Sequence, residues 1–289
     1  SYIATMRTTP SYSSGSSCTS TQALVYGSGG GQLATITEMN TRIAELANNQ
    51  LVAGNCVSIT FPAQTILLDG ATLDIPSFYS SAAGNPEITV PFTITGTGTE
   101  ASRTKLDANL QSQILITDQP TSISNIDFVE GSSDDGGAID TFASLTVTNS
   151  RFEGNIASDA GGAIHHMSEG GSSLSVISST FIDNMSSYGG GAIYAESNAT
   201  ISLSTFTGNV SGFEGFGGAI SSSDNLSVLD STFTSNESEY SGGAIEADDS
   251  LFVSGSTFTS NLSASADGGA IDADEGARIY NSSFVNNTA

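Results

Sequence analysis

Basic residues are nearly missing from this chain. Six of 289 residues are Lys or Arg, and Lys105 is the sole lysine; against 30 acids they leave a formal charge of −24. Nucleic-acid backbones are bound through Lys and Arg clusters, so that partner class is excluded. Electrostatic docking on anionic lipid is excluded by the same shortage. No apolar run approaches the roughly 20 residues needed to span a bilayer, so no direct membrane insertion by this segment is expected. The first residues show no basic-then-apolar leader pattern. Tryptophan is absent and there are two cysteines, Cys18 and Cys56. They flank a predicted helix, and an acidic, Ser/Thr-rich, nearly lysine-free surface suits an extracellular setting, so one Cys18–Cys56 disulfide is expected; two free thiols are the alternative.

Small polar residues are abundant: Ser and Thr number 80 and Gly 32. Such polarity can mean disorder, but here the apolar residues recur at fixed positions. Gly-Gly-Ala-Ile occurs six times, ending at Ile139, Ile164, Ile193, Ile220, Ile245 and Ile271, at spacings of 25, 29, 27, 25 and 26 residues. Phe-x-x-Asn alternates with it, at Phe152/Asn155, Phe181/Asn184, Phe206/Asn209, Phe233/Asn236, Phe258/Asn261 and Phe284/Asn287. Phe follows Ile by 13 residues except after Ile164, where the gap of 17 places a four-residue insertion within Ser168–Ser173. Two residues before each Phe stands Ser (150, 179, 204, 231, 256, 282), and five before it Val or Ile.

Period-two alternation broken by Gly and Asn reads as two or three short strands per repeat. Such a unit cannot bury its own apolar face and must stack on its neighbours. The expected fold is therefore an all-β, right-handed parallel β-helix, a solenoid of about 26-residue coils with neighbouring coils about 4.8 Å apart. Phe, Val/Ile and the Ile of Gly-Gly-Ala-Ile stack inward. The Asn column forms an amide ladder satisfying backbone groups. The paired glycines serve a positive-φ bend or close coil contact.

Three segments are expected. Residues 1–49 form an N-terminal arm and an α-helical cap, signalled by the capping box Thr35-Ile-Thr-Glu38 and an apolar face of Ile36, Met39, Ile43 and Leu46. Residues 50–127 form irregular coils with strands at Val57–Phe61, Thr65–Leu68, Ala71–Ile75, Phe92–Gly96, Lys105–Leu106, Ile114–Thr117 and Ile123–Phe128, and a loop at Pro76–Pro91. Residues 128–289 form the regular repeats as part of one continuous domain. The repeats run to the last residue, so the native chain is expected to continue.

Repeated Gly-Gly-Ala-Ile alternating with Phe-x-x-Asn resembles the polymorphic outer membrane proteins, the chlamydial-type surface autotransporters, over Phe128–Ala289. The helix and the Val57–Phe61 strand are similar to the start of pectin-lyase-like β-helices. The resemblance implies a secreted, outer-membrane-anchored passenger carried by a C-terminal β-barrel and implicated in adhesion.

Chemistry has few footholds. Pectin-lyase-like enzymes combine clustered Asp with Arg, Lys or His. Here Asp134-Asp135 sits in a turn, while Arg7, Arg42, Arg103, Lys105, Arg151 and Arg278 read as scattered singly. His165 and His166 adjoin on a strand and point to opposite faces. Glu246, Asp248, Asp272 and Asp274 point outward as a grid that could hold Ca²⁺, a stiffening ion and not a required cofactor. Thr205, Thr207, Thr232, Thr234, Thr257 and Thr259 form an outward three-by-two lattice similar to the faces of ice-binding β-helices, and a candidate binding face. Of eight Asn-x-Ser/Thr sequons, those at Asn184, Asn209, Asn236 and Asn261 fall in the inward Asn column.

The expected function is a non-catalytic adhesin or rigid stalk outside the cell or on its surface. Its partner would be a surface glycan or protein receptor, or copies of itself. The alternatives are a filament or coat subunit, a polysaccharide-active enzyme and an ice-binding protein.

Overall fold

A computed structural model describes residues 18–27, 33–49, 51–52, 54–79, 87–167, 171–265 and 267–289. The chain winds as a parallel β-solenoid. Four parallel sheets form its sides, with ten, nine, six and eight strands, the six-stranded one spanning Ser132–Ser133 to Leu262–Ser263, and neighbours within each sheet come from successive coils. One regular coil comprises Ile193–Ala195, Ala199–Ser202, Thr205–Thr207 and Val210–Ser211. That is four strands, where two or three were expected. The extra one is the two-residue strand after each Asn, too short for an alternation pattern to reveal.

Every residue type that recurred in sequence has one structural position. Phe128, Phe152, Phe181, Phe206, Phe233, Phe258 and Phe284 stack in register, with neighbouring ring centroids 4.7–4.8 Å apart and planes within 5° of parallel. The column from Phe128 to Phe258 is fully buried. Offset stacking adds to the free energy of burying each ring. The Asn side chains stack likewise: Asn155 Nδ2 donates to Asn184 Oδ1 at 2.8 Å, Asn184 to Asn209 at 2.9 Å and Asn209 to Asn236 at 2.9 Å. Each amide also donates to the carbonyl of a Phe, as Asn184 does to Phe152 at 3.1 Å. The Ser two residues before Phe closes another ladder, with Ser179 Oγ accepting from Ser150 N–H and donating to the Ile177 carbonyl.

The two glycines of Gly-Gly-Ala-Ile divide the roles foreseen for them. Gly190 takes the bend at φ 57°. Gly191 takes the close contact, since a Cβ there would collide with the carbonyl oxygen of Gly218 on the next coil.

At the other end the helix Ile36–Asn49 starts as its capping box requires. Thr35 Oγ1 accepts from Glu38 N–H at 3.1 Å, and Glu38 Oε2 accepts from Ala34 N–H at 2.7 Å, one residue before the partner of a standard box. Ile36, Met39, Ile43 and Leu46 are buried. The helix packs on Leu73–Ile75, the first strand of the eight-stranded sheet. Asn40 satisfies that strand's outer edge, donating to the Thr72 carbonyl at 2.7 Å and accepting from Asp74 N–H at 3.0 Å.

Three details differ from the sequence reading. Ser20–Val25 is a strand, parallel to Asn55–Phe61, within the segment read as arm and helix. The Ile123–Phe128 strand is two, Thr121–Ser124 and Ile126–Val129, separated by Asn125 at φ 60°. The Pro76–Pro91 loop contains an antiparallel pair, Phe78–Tyr79 with Glu87–Ile88, anchored where Phe78 stacks on Phe92. Residues 168–170 of the insertion and Arg7 lie outside the described residues.

Candidate functional site

Outward-facing residues of the eight-stranded sheet form the floor of a groove of about 840 Å³. Its register places His165, Tyr194, Ser221, Glu246 and Asp272 in one column. Glu196, Ser223, Asp248 and Asp274, two residues further along their coils, make a second. One wall comes from the turns before the glycine pairs, carrying Asp135, Asp159, Tyr188, Phe216, Tyr240 and Asp267. The aromatic wall is exposed, at 44% for Tyr188, 39% for Phe216 and 47% for Tyr240. It is also ordered by ring contacts: Phe216 meets Tyr240 at 5.2 Å, and Tyr188 meets Phe213 edge-on at 5.6 Å.

All four carboxylates of the proposed calcium grid line this groove, with Glu246 directly opposite Asp272. Glu246 is half-buried and accepts from Ser221 Oγ at 2.7 Å. Burial, together with Asp248 and Asp274, pushes its pKa up to about 8 against the help of the serine. The four carboxylates crowd negative charge into one place, and among the described residues no three His, Cys, Asp or Glu side chains are grouped to hold a metal ion.

The histidines do point apart. His165 closes one end of the groove, with Nδ1 2.9 Å from Asp140 Oδ1 and its ring stacked on Tyr194 at 5.6 Å. Burial works against its charge, but Asp140, Asp135 and Glu196 prevail and its pKa is raised. His166 lies inside the coil, 2.9 Å from Ser197 Oγ, and burial pushes its pKa down to about 4. A Ser-His pair thus exists, but it is sealed in the core, where no substrate can reach it.

Three of the six bases are not scattered. Arg103 and Lys105 meet Arg151 around Asp127 on the nine-stranded sheet, where Lys105, Asp127 and Arg151 share one register. Folding brings together residues that lie 46 apart in sequence. Each base has its own carboxylate: Arg103–Asp127 at 3.5 Å, Lys105–Asp107 at 2.9 Å and Arg151–Glu153 at 2.8 Å. Three bases against three acids leave no net positive field for a polyanionic substrate.

The six threonines form the expected lattice, with Thr205, Thr232 and Thr257 in one register and Thr207, Thr234 and Thr259 in the other. Cys18 and Cys56 are joined, with Cα atoms 5.7 Å apart. Asn184, Asn209, Asn236 and Asn261 are completely buried in the amide ladder, so four of the eight sequons cannot receive a glycan in the folded chain.

The aromatic wall escaped the sequence reading. Its trace was an aromatic one or two residues before Gly-Gly in three successive coils, at Tyr188, Phe216 and Tyr240.

No curated protein and no solved structure matches the chain. The Chlamydia polymorphic membrane protein repeat matches residues 149–166 and 178–196. These two matches cover the His165 end of the groove, the Asn155–Asn184 step of the amide ladder and the glycine bends. The chain is a parallel β-solenoid, and two of its coils, at residues 149–166 and 178–196, are similar to the polymorphic membrane protein repeat.

Proposed function

We propose that this chain is a non-catalytic cell-surface rod, an adhesin passenger or stalk that presents polar ladders to a glycan or protein receptor. The observation that carries this reading is the uninterrupted parallel ladder. Ten strands of one sheet run from Ser20–Val25 to Ala277–Tyr280 and nine of the next from Thr65–Leu67 to Ser283–Val285, so outward columns such as the threonine lattice of the second are held at fixed spacing. A regular array of weak polar contacts becomes strong through multivalency. The repeat type supports a surface location, because proteins that carry it are outer-membrane or surface associated. Within this reading the solenoid winds right-handed, as nearly all crossovers between parallel strands do, and the helix Ile36–Asn49 caps its first coil.

The test is attachment of beads coated with the chain to epithelial cells and to immobilised glycans. Attachment above albumin-coated beads, reduced when Thr232→Tyr interrupts the lattice, is expected. Absence of attachment to every surface, or release of reducing ends from a polysaccharide, overturns the reading.

A further inference from the structure

We propose that the groove along the eight-stranded sheet binds one extended polycationic peptide, a Lys- or Arg-rich segment lying lengthwise between its acidic floor and its aromatic wall. This names a ligand class for the adhesive reading and rests on it, but it concerns a single site that can be tested on the isolated chain.

Shape, charge and wall chemistry each point to this occupant. The lining residues come from six successive coils, Asp135 to Asp272. Five steps of about 4.8 Å make a trough about 24 Å long, matching about seven residues of extended peptide. Eight carboxylates line it: Asp135, Asp159, Glu196, Glu246, Asp248, Asp267, Asp272 and Asp274; no Lys or Arg does. A low-dielectric trough with charge of one sign concentrates ligands of the opposite sign. The exposed faces of Tyr188, Phe216 and Tyr240 add cation–π attraction for ammonium or guanidinium groups. Room for Tyr194 on the floor is made by Gly189, whose Cβ would press against the Tyr194 ring.

A neutral sugar could stack on the same rings, but it would leave the mutual repulsion of the carboxylates in place. An acidic sugar would be repelled. Burial, with Asp248 and Asp274 beside it, raises the pKa of Glu246, and a bound cation would favour its charged form.

The experiment titrates the purified 289-residue chain with fluorescein-labelled heptalysine at physiological salt, by anisotropy and calorimetry. Melting curves confirm that each variant is folded. One peptide per chain is expected. Asp248→Asn with Asp274→Asn should weaken binding about tenfold, and Phe216→Ser with Tyr240→Ser, which leaves the charge unchanged, about threefold. Asp183→Asn with Asp230→Asn removes the same charge outside the groove and should change affinity less than about twofold.

The proposal is overturned if the two charge-removing pairs weaken binding equally, since overall acidity alone would then be responsible. It is also overturned if the aromatic pair has no effect, or if cellohexaose binds more tightly than heptalysine. Bead attachment that persists while heptalysine fails to bind would sink this inference and leave the adhesive reading standing.

Discussion

Asn184 and Asn209 are joined twice: Asn209 Oδ1 accepts from Asn184 Nδ2 at 2.9 Å and from the Asn184 backbone N–H at 3.1 Å. The same pairing repeats at Asn155–Asn184, Asn209–Asn236, Asn236–Asn261 and Asn261–Asn287. A single oxygen therefore satisfies a side chain and a main chain of the preceding coil at a fully buried position.

Asn209→Ala removes that acceptor, leaving the buried Asn184 N–H without a partner and the Asn184 amide with the Phe152 carbonyl alone as acceptor. A loss of about 2–5 kcal/mol is expected, read as a lower urea midpoint. Asn225→Ala, at an exposed Asn whose side chain bonds to Asn198 and Asp224, should change it by less than about 0.5 kcal/mol. Equal effects from the two would show that the amide ladder is not what holds the coils.

Gly191 sits against the carbonyl of Gly218 and the backbone of Val210. Gly191→Ala must push two coils apart at a place where both sides are backbone. A stability loss above about 3 kcal/mol, or failure to fold, is expected. Gly212→Ala has its nearest contact at 4.0 Å, the Ser186 carbonyl. Thermal melting of the two variants side by side should separate them clearly.

Glu246 titrates near 8 when folded and near the ordinary 4.5 when unfolded. Between those values the native state holds a proton that the unfolded state has released, so stability falls as pH rises from 4.5 to about 8 and levels off above. Glu246→Gln should flatten that stretch of the stability curve. His166 acts at the other end: with a folded pKa of about 4, its contribution is lost as pH falls from 6.5 toward 4. Denaturant midpoints across pH 4–9 in wild type and variant measure both slopes. An unchanged slope in Glu246→Gln would mean that the carboxylate is ionised in the groove.

The Cys18–Cys56 bond ties the start of the first strand to the second across a sequence separation of 38. Loop closure of that size is worth about 4 kcal/mol in the chain-entropy account. Solenoid contacts are local, so reduction should act only at this end. Faster hydrogen exchange is expected in Ser20–Val25 after reduction, with Thr257–Thr259 unchanged. Loss of protection along the whole rod would contradict the local picture.

Much of the core was legible because a solenoid gives each column of residues one environment, repeated. A Phe that must stack on a Phe, or an Asn that must bond an Asn, returns at the coil length, and six recurrences reveal it. The helix was legible from its own caps and apolar face, and Asn40 then met the strand edge at Thr72 and Asp74 that no local pattern shows. The fourth strand of each coil was hidden because two residues carry no alternation.

The groove was only half legible. Its acidic columns are residues two apart, one within each strand and one just past its end, which alternation places on one face. Its aromatic wall comes from turns whose direction depends on how each coil closes. The basic cluster was hidden for a related reason: Arg103, Lys105 and Arg151 lie in different coils of irregular length, and only the register aligns them around Asp127.

By itself the sequence determined the coil length, the inward columns and the turn positions, because each depends on a residue's own chemistry and on its identical neighbour one coil away. The tertiary structure decided what lies side by side across different columns: Tyr194 on His165, Phe216 on Tyr240, Glu246 facing Asp272. Those contacts depend on the lateral packing of turns and sheets, which leaves no period in the sequence.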